Sequence, residues 1–280
     1  MTKNRIQILK EKMLSQPRYV SIEQALIITK TYKQHENEPI ILKRAYALAN
    51  ALRELEIGIE NEELIVGNRT KGVRYGVVFP ESGISWVDRE FETISTRKQD
   101  KFLVRDEDIK IFREQIVPYW KGKSLEDVIK QNFGKEISAI NKVVKINQTD
   151  HAQGHICPNV EKWLQKGVSG LLEAAQNHYK NADEDKKNFY QAIIIVMKAV
   201  QNFMLRYHDL LIATAKDDEK NRASLIKVAD ICKNISQRPP QTFHEAVQAT
   251  WFLFVILHME SNASSFSPGR LDKILSSKIG

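Results

Sequence analysis

The chain has 280 residues, 42% of them hydrophobic and 28% charged, enough length and apolar content for a globular body with a core or two. Its 12 glycines and 8 prolines are too few for a turn-dense all-β fold, and two cysteines cannot build a disulfide framework. The net charge of +7 raises nucleic acid as a partner, but the lysines are spread along helical faces among glutamates, and no basic cluster, stacking aromatics or zinc-finger spacing accompanies them.

The opening Met1-Thr2-Lys3-Asn4-Arg5 runs straight into an amphipathic pattern without an apolar secretory segment, and the expected setting is the cytoplasm. Ile6, Leu9, Met13 and Leu14 predict a helix that ends near Gln16-Pro17. Ser21-Ile22-Glu23-Gln24 reads as a capping box ahead of a helix through Ala25 to Ile28, and Pro39 opens a longer apolar stripe from Ile40 to Ile57. The texture changes at Asn61. Leu64 to Gly67 and Tyr75 to Pro80 are short β-type runs bounded by Gly and Pro. Helical pattern returns at Trp86 to Ile94, at Asp106 to Val117 with Pro118-Tyr119-Trp120 closing it, and after Ser124, where Asp127 makes a box-like start.

Asn147 to Pro158 has no period and reads as a polar loop, followed by long helices at Val160 to Tyr179, Lys187 to Lys216 and Glu219 to Ile235. Arg238-Pro239-Pro240-Gln241 breaks the chain, and Thr242-Phe243-His244-Glu245 caps one more helix. That helix is apolar all round by Trp251 to Leu257, so protein must cover it on every side, yet only about twenty residues follow it. It is too short to span a bilayer, and no membrane association is expected. The fold expected from these patterns is mainly α with a few short strands.

The densest group of reactive side chains is Asp150, His151, His155 and Cys157. Four-residue histidine spacing would suit a metal on a helix, but Gly154 and Pro158 oppose a helix here. A self-satisfying polar loop and a substrate-facing loop with an imidazole as donor or proton carrier stand beside the metal reading. The run Glu260-Ser261-Asn262-Ala263-Ser264-Ser265 sets small polar groups at the exit of a buried helix, where they need partners. Gly67 and Gly76 lack the spacing of a phosphate loop, and no serine–histidine–acid arrangement can be picked out.

Glu63-Leu64-Ile65-Val66-Gly67-Asn68, Phe79-Pro80-Glu81, Ser85-Trp86-Val87 and Pro118-Tyr119-Trp120-Lys121-Gly122 come in an order that resembles the pyruvate formate-lyase-like domain of glycyl radical enzymes. Gly154-His155 with Pro158-Asn159, Arg238 to Ala246, Glu260-Ser261-Asn262 and Ser267-Pro268-Gly269-Arg270-Leu271-Asp272 continue it along nearly the whole chain. The resemblance implies that 1–280 is a partial domain, truncated at its carboxyl end: the helical amino-terminal part of the family's α/β barrel. It implies a glycyl radical in the complete family member, installed by a radical S-adenosylmethionine activating enzyme, a homodimer when complete, and a small-molecule substrate.

The family's thiyl cysteine sits in a Gly-Cys-Val-Glu-like turn and its radical glycine in an Arg-Val-x-Gly-Tyr-like loop. Neither motif occurs in this chain, so the resemblance implies no catalytic residue, no bound cofactor and no activity for it alone. Lys273 to Gly280 departs from the family pattern, as a frameshift or early stop would produce. Residue by residue, His155 matches a substrate-contacting histidine of the dehydratase branch, and Ser265 matches a pocket serine of the polyol dehydratases. Ser264 stands where those enzymes have a histidine and Asn147 where hydroxyproline dehydratase has an aromatic, which counts against those two substrate types. Cys157 is expected to be a small buried side chain.

The leading expectation is therefore a radical dehydratase or lyase cleaving a C–O or related bond in a small polar substrate. Formate acetyltransferase-type acyl transfer is the second reading, and a non-catalytic interaction protein that keeps only the helical part is the third.

Overall fold

The computed structural model describes residues 4–60, 62–144, 155–262 and 265–276. The chain runs α1 (Arg5–Ser15), β1 (Tyr19–Ser21), α2 (Glu23–Gln34), α3 (Ile40–Glu54), β2 (Tyr75–Val77), α4 (Ser85–Glu90) and α5 (Asp106–Ile111). One π turn over Phe112–Ile116 joins α5 to the short α6 (Val117–Trp120), where Pro118 lies in the first turn and its missing N–H costs nothing. Then follow α7 (Leu125–Ile140), β3 (His155–Ile156), α8 (Val160–Lys180), α9 (Glu184–Asp217), α10 (Arg222–Gln237), α11 (Phe243–Glu260), β4 (Ser265–Phe266) and α12 (Leu271–Ser276). Mainly helical architecture with a few short strands is the expected class.

Two apolar clusters organise these elements. The larger gathers α3, α8, α9, α10 and α11 around Leu52, Phe203, Tyr207, Leu211 and Phe252, all inaccessible to solvent. Phe203, Tyr207 and Phe252 stack at centroid separations of 5.2 to 5.8 Å, within the range where ring pairs add to simple burial. The smaller cluster holds Val20, Ile28, Tyr32, Val78, Phe91, Phe112 and Trp120 from the amino-terminal half. Helices α2 and α3 belong to both: Ile27 faces the larger cluster and Ile28 the smaller, while Leu48 and Ala47 divide the same way on α3. Arg206 closes the carboxyl end of α3 by donating to the carbonyls of Leu52 (2.7 Å) and Leu55 (2.6 Å).

Three sequence expectations are corrected. Ser21 does not form a capping box, because it lies in β1, paired in parallel with β2 at Val77; its Oγ only reaches Glu23 N at 3.4 Å. Gln24 donates instead to the Met259 carbonyl at 3.0 Å, on the far side of the sequence. The run Leu64 to Gly67 is not a strand: Val66 gives its N–H to Gln248 Oε1 (2.9 Å) and takes Gln248 Nε2 on its carbonyl (2.7 Å). One side-chain amide thus does what a neighbouring strand would do.

The third correction concerns α11, whose expected lack of cover is only partial. Its capping box forms as read, with Thr242 Oγ1 accepting from Glu245 N at 3.2 Å. Phe252, Val255, Ile256 and Met259 are buried by α3, α8, α9 and α10, while Trp251 remains exposed and Leu253, Phe254 and Leu257 half-buried. A break in α8 at Gly167 (φ 61°) makes room for the chain after α10, since a Cβ there would stand 2.9 Å from the backbone of Pro239.

Candidate functional site

The polar loop before α8 and the exit of α11 meet as a parallel strand pair. His155 is the register partner of Ser265 and Ile156 of Phe266, and Ser267 N donates to the Ile156 carbonyl at 2.7 Å. Residues facing across a strand pair lie close enough for short side chains to touch. Ser265 Oγ and His155 Nδ1 accordingly stand 2.8 Å apart. The two residues assigned by resemblance to substrate contact are 110 positions apart in sequence and hydrogen-bonded in space.

The pair rests on a packed floor. Phe266 is buried and meets the His258 ring edge-on, centroids 4.7 Å apart, and His258 Nδ1 donates to the Phe254 carbonyl at 2.8 Å. Arg69 Nη1 reaches the His258 carbonyl at 3.3 Å, and burial holds its guanidinium below the usual range. Trp251 Nε1 donates to the Gly67 carbonyl at 2.9 Å and Asn68 N to Tyr207 Oη at 3.0 Å, tying the 67–69 turn to α11 and α9. Gly67 (φ 125°) lets that turn pass over Phe252, whose ring would lie 3.0 Å from a Cβ.

Beside the exit of α11, Arg44 donates to both the side chain (2.5 Å) and the carbonyl (3.0 Å) of Glu260. Glu81 lies near them. Burial raises its carboxyl above the usual range against the pull of Arg44, and its Oε2 has no hydrogen-bond partner among the described residues. Tyr32 is pushed up to about 12 by burial and then by Glu81. Asn262 borders a cavity of about 310 Å³ whose other walls include Val78, Phe79, Trp86 and Phe91. Sequence reasoning assigned no role to Arg44 or Tyr32; Glu81 and Glu260 stood inside matched motifs, but no local pattern joins them.

Chemically, His155 and Ser265 form a dyad without an acid. A nucleophilic serine needs its imidazole partner oriented by a carboxylate on the other ring nitrogen, and among the described residues no carboxylate hydrogen-bonds His155. The serine engages Nδ1 and leaves Nε2 to the open side. Because a hydroxyl both donates and accepts, Ser265 can match either neutral tautomer, and Nε2 can present a donor or an acceptor to a bound hydroxyl.

Cys157 is exposed, not buried as the sequence suggested. His155 and Cys157 are exposed and Ile156 between them is half-buried, and Cys157 lies just past the end of β3. Its Sγ lies 3.8 Å from where a Cβ on Gly269 would be. Asn147, Ser264, Asp150 and His151 lie outside the described residues, among which no group of three or more metal-type side chains gathers. No described helix is long and apolar enough to cross a membrane.

Residues 1–277 match the family model described as "Pyruvate formate lyase-like". Probable dehydratase YbiW of Escherichia coli (strain K12) is 33% identical over 268 residues, covering 91% of this chain and 33% of its own length. The (2S)-3-sulfopropanediol dehydratase of Klebsiella oxytoca is 28% identical, covering 97% of this chain and 35% of its own length. The solved structure of the glycerol-bound B12-independent glycerol dehydratase from Clostridium butyricum superposes with a TM-score of 0.93 at 30% identity, over 100% of this chain and 37% of that one. The chain spans about a third of the length of the curated relatives it matches.

Proposed function

The chain belongs to the pyruvate formate lyase-like family, the glycyl radical enzymes, and we propose that it is the substrate-contacting amino-terminal part of a radical dehydratase or lyase acting on a small polar molecule. The observation that carries this reading is the hydrogen-bonded pair His155–Ser265 on adjacent strands at the exit of α11. In this reading residues 1–280 are a partial domain, and the radical glycine and thiyl cysteine that start the chemistry belong to protein outside it.

What this chain contributes is binding and orientation. His155 Nε2 holds a substrate hydroxyl, and Ser265 fixes the orientation of the ring. The family's stored glycyl radical, formed by a radical S-adenosylmethionine activating enzyme, supplies hydrogen abstraction in the complete homodimeric protein, working in the cytoplasm. Dehydration or lysis leads over formate acetyltransferase-type acyl transfer because the relatives named above are dehydratases. Glycerol and a sulfonated propanediol, named with two of those relatives, share adjacent oxygen-bearing carbons; because Ser264 counts against a simple polyol, the class we assign is a vicinal hydroxyl compound that carries a further polar group.

The test is anaerobic activation of the complete protein carrying this sequence, read by electron paramagnetic resonance. A glycyl radical signal that forms on activation is expected. No signal with a competent activating enzyme would end the radical reading.

A further inference from the structure

Helix α11 ends without the turn that commonly closes a helix. Its last residue is Glu260, and Ser261 after it is extended (φ −143°, ψ 152°), where a glycine in the left-handed region would fold the chain back over the free carbonyls. Ser261 N donates to the Leu257 carbonyl, which leaves the carbonyls of His258, Met259 and Glu260 to find other donors. Each receives a side chain from a different amino-terminal segment: Arg69 Nη1 on His258 (3.3 Å), Gln24 Nε2 on Met259 (3.0 Å) and Arg44 Nη2 on Glu260 (3.0 Å). Two of these donors are guanidinium groups, the charge that the negative end of a helix favours. Arg44 Nη2 also donates to the Glu260 carboxylate at 2.5 Å, offsetting an anion that this end disfavours.

We propose that Arg44, Gln24 and Arg69 are positioning residues that hold the last turn of α11 so that Ser265 meets His155. Water alone could satisfy three carbonyls; three side chains from separate elements also fix the direction in which the helix ends. The connection to the pair is short. Ser261 is buried, and Ser265 follows Glu260 by five positions, at most about 17 Å of extended chain. The His258 ring, on the held turn itself, packs against Phe266, the neighbour of Ser265, with centroids 4.7 Å apart.

Strands β3 and β4 have two residues each, too few to fix their own placement. The donors stand on firmer ground. Gln24 lies in the first turn of α2 and Arg44 in α3, the two helices shared by both apolar clusters, and Arg69 belongs to the turn that Trp251 and Tyr207 hold. As a statement about an enzyme the proposal rests on the substrate role given above to His155 and Ser265; as a statement about geometry it stands without it.

Hydrogen exchange of the chain, read by NMR, tests the geometry. The Ser267 amide, bonded to the Ile156 carbonyl at 2.7 Å, reports opening of the strand pair, and the amides of Phe203 and Tyr207 report the core. Arg44→Met removes both donations; it should lower protection at Ser267 about tenfold and leave Phe203 and Tyr207 within about twofold of wild type. Arg44→Met combined with Glu260→Gln, which leaves no stranded carboxylate, replaces the single variant if circular dichroism shows that one unfolded. A Ser267 amide without protection in the wild type overturns the proposal, as does unchanged protection in the variant, an equal fall at all three amides, or unfolding of both variants. In the activated complete protein at equal radical content, Arg44→Met should lower kcat/KM about tenfold, but less than about twofold where His155 is already Ala, because positioning acts through that ring. Equal losses in the two backgrounds would overturn the positioning role. A His155→Ala protein as active as wild type would instead remove the substrate reading, and the exchange result would still decide the geometry.

Discussion

His155 and Ser265 touch because two strands set them in register, not because sequence brings them together. Replacing Ser265 by Ala removes the hydrogen bond that fixes the imidazole, and about a tenfold fall in turnover by the activated complete protein is expected, with radical content unchanged. Both residues were singled out by the order of motifs around them. Their mutual contact was not, since nothing local links positions 110 apart. Cys157 was misread because isolated cysteines are usually buried, whereas this one lies exposed just past the end of β3. Its counterpart Cys232 is buried in α10, and burial pushes its thiol up to about 12. One thiol per folded chain should therefore react quickly with a maleimide, and Cys157→Ser should leave none until the protein is unfolded.

Among the elements, α11 decides how much else can form. Its register was readable from Thr242 to Glu245, because a capping box is a local device. Its partners were not, because they come from distant segments. Gln248 holds both polar groups of Val66 in a buried setting, so Gln248→Ala leaves a donor and an acceptor unsatisfied and should cost about 2–4 kcal/mol in urea unfolding. The same distance in sequence explains why Leu64 to Gly67 looked like a strand: its alternation and its need for partners are those of a strand, and the partner is a side chain.

At the start of α11, burial would raise the Glu245 carboxyl. Arg238, the Gln241 N–H and Asn234 outweigh burial and hold it below the usual range. A depressed folded value means this stabilisation is present above the unfolded value of about 4.3 and is lost as pH falls through the folded one. Arg238→Ala should cost about 2 kcal/mol at pH 7, less than for a fully buried pair because the guanidinium is one-third exposed. The gap between wild type and variant should shrink as the pH is taken below about 4.

At the scale of the whole molecule, the described residues form two apolar clusters, sharing α2 and α3, and leave apolar surface on α7 and at Trp251. Helical periodicity was enough to read the large helical body, since most of its helices bury one face against another. The segment after Ser124 was legible as helix but the exposure of its Phe133 and Ile140 was not, because periodicity marks residues as apolar without saying what covers them. The chain spans about a third of its relatives' length, so its strand pair is one wall of a site that other protein completes in the proposed enzyme. The most direct test compares wild type and His155→Ala in that complete protein, anaerobically activated to equal glycyl radical content, by kcat/KM on a vicinal diol that carries a further polar group. The predicted result is about a 100-fold loss in the variant with the radical signal intact. Equal kcat/KM in the two proteins would contradict the assignment of His155 to the substrate.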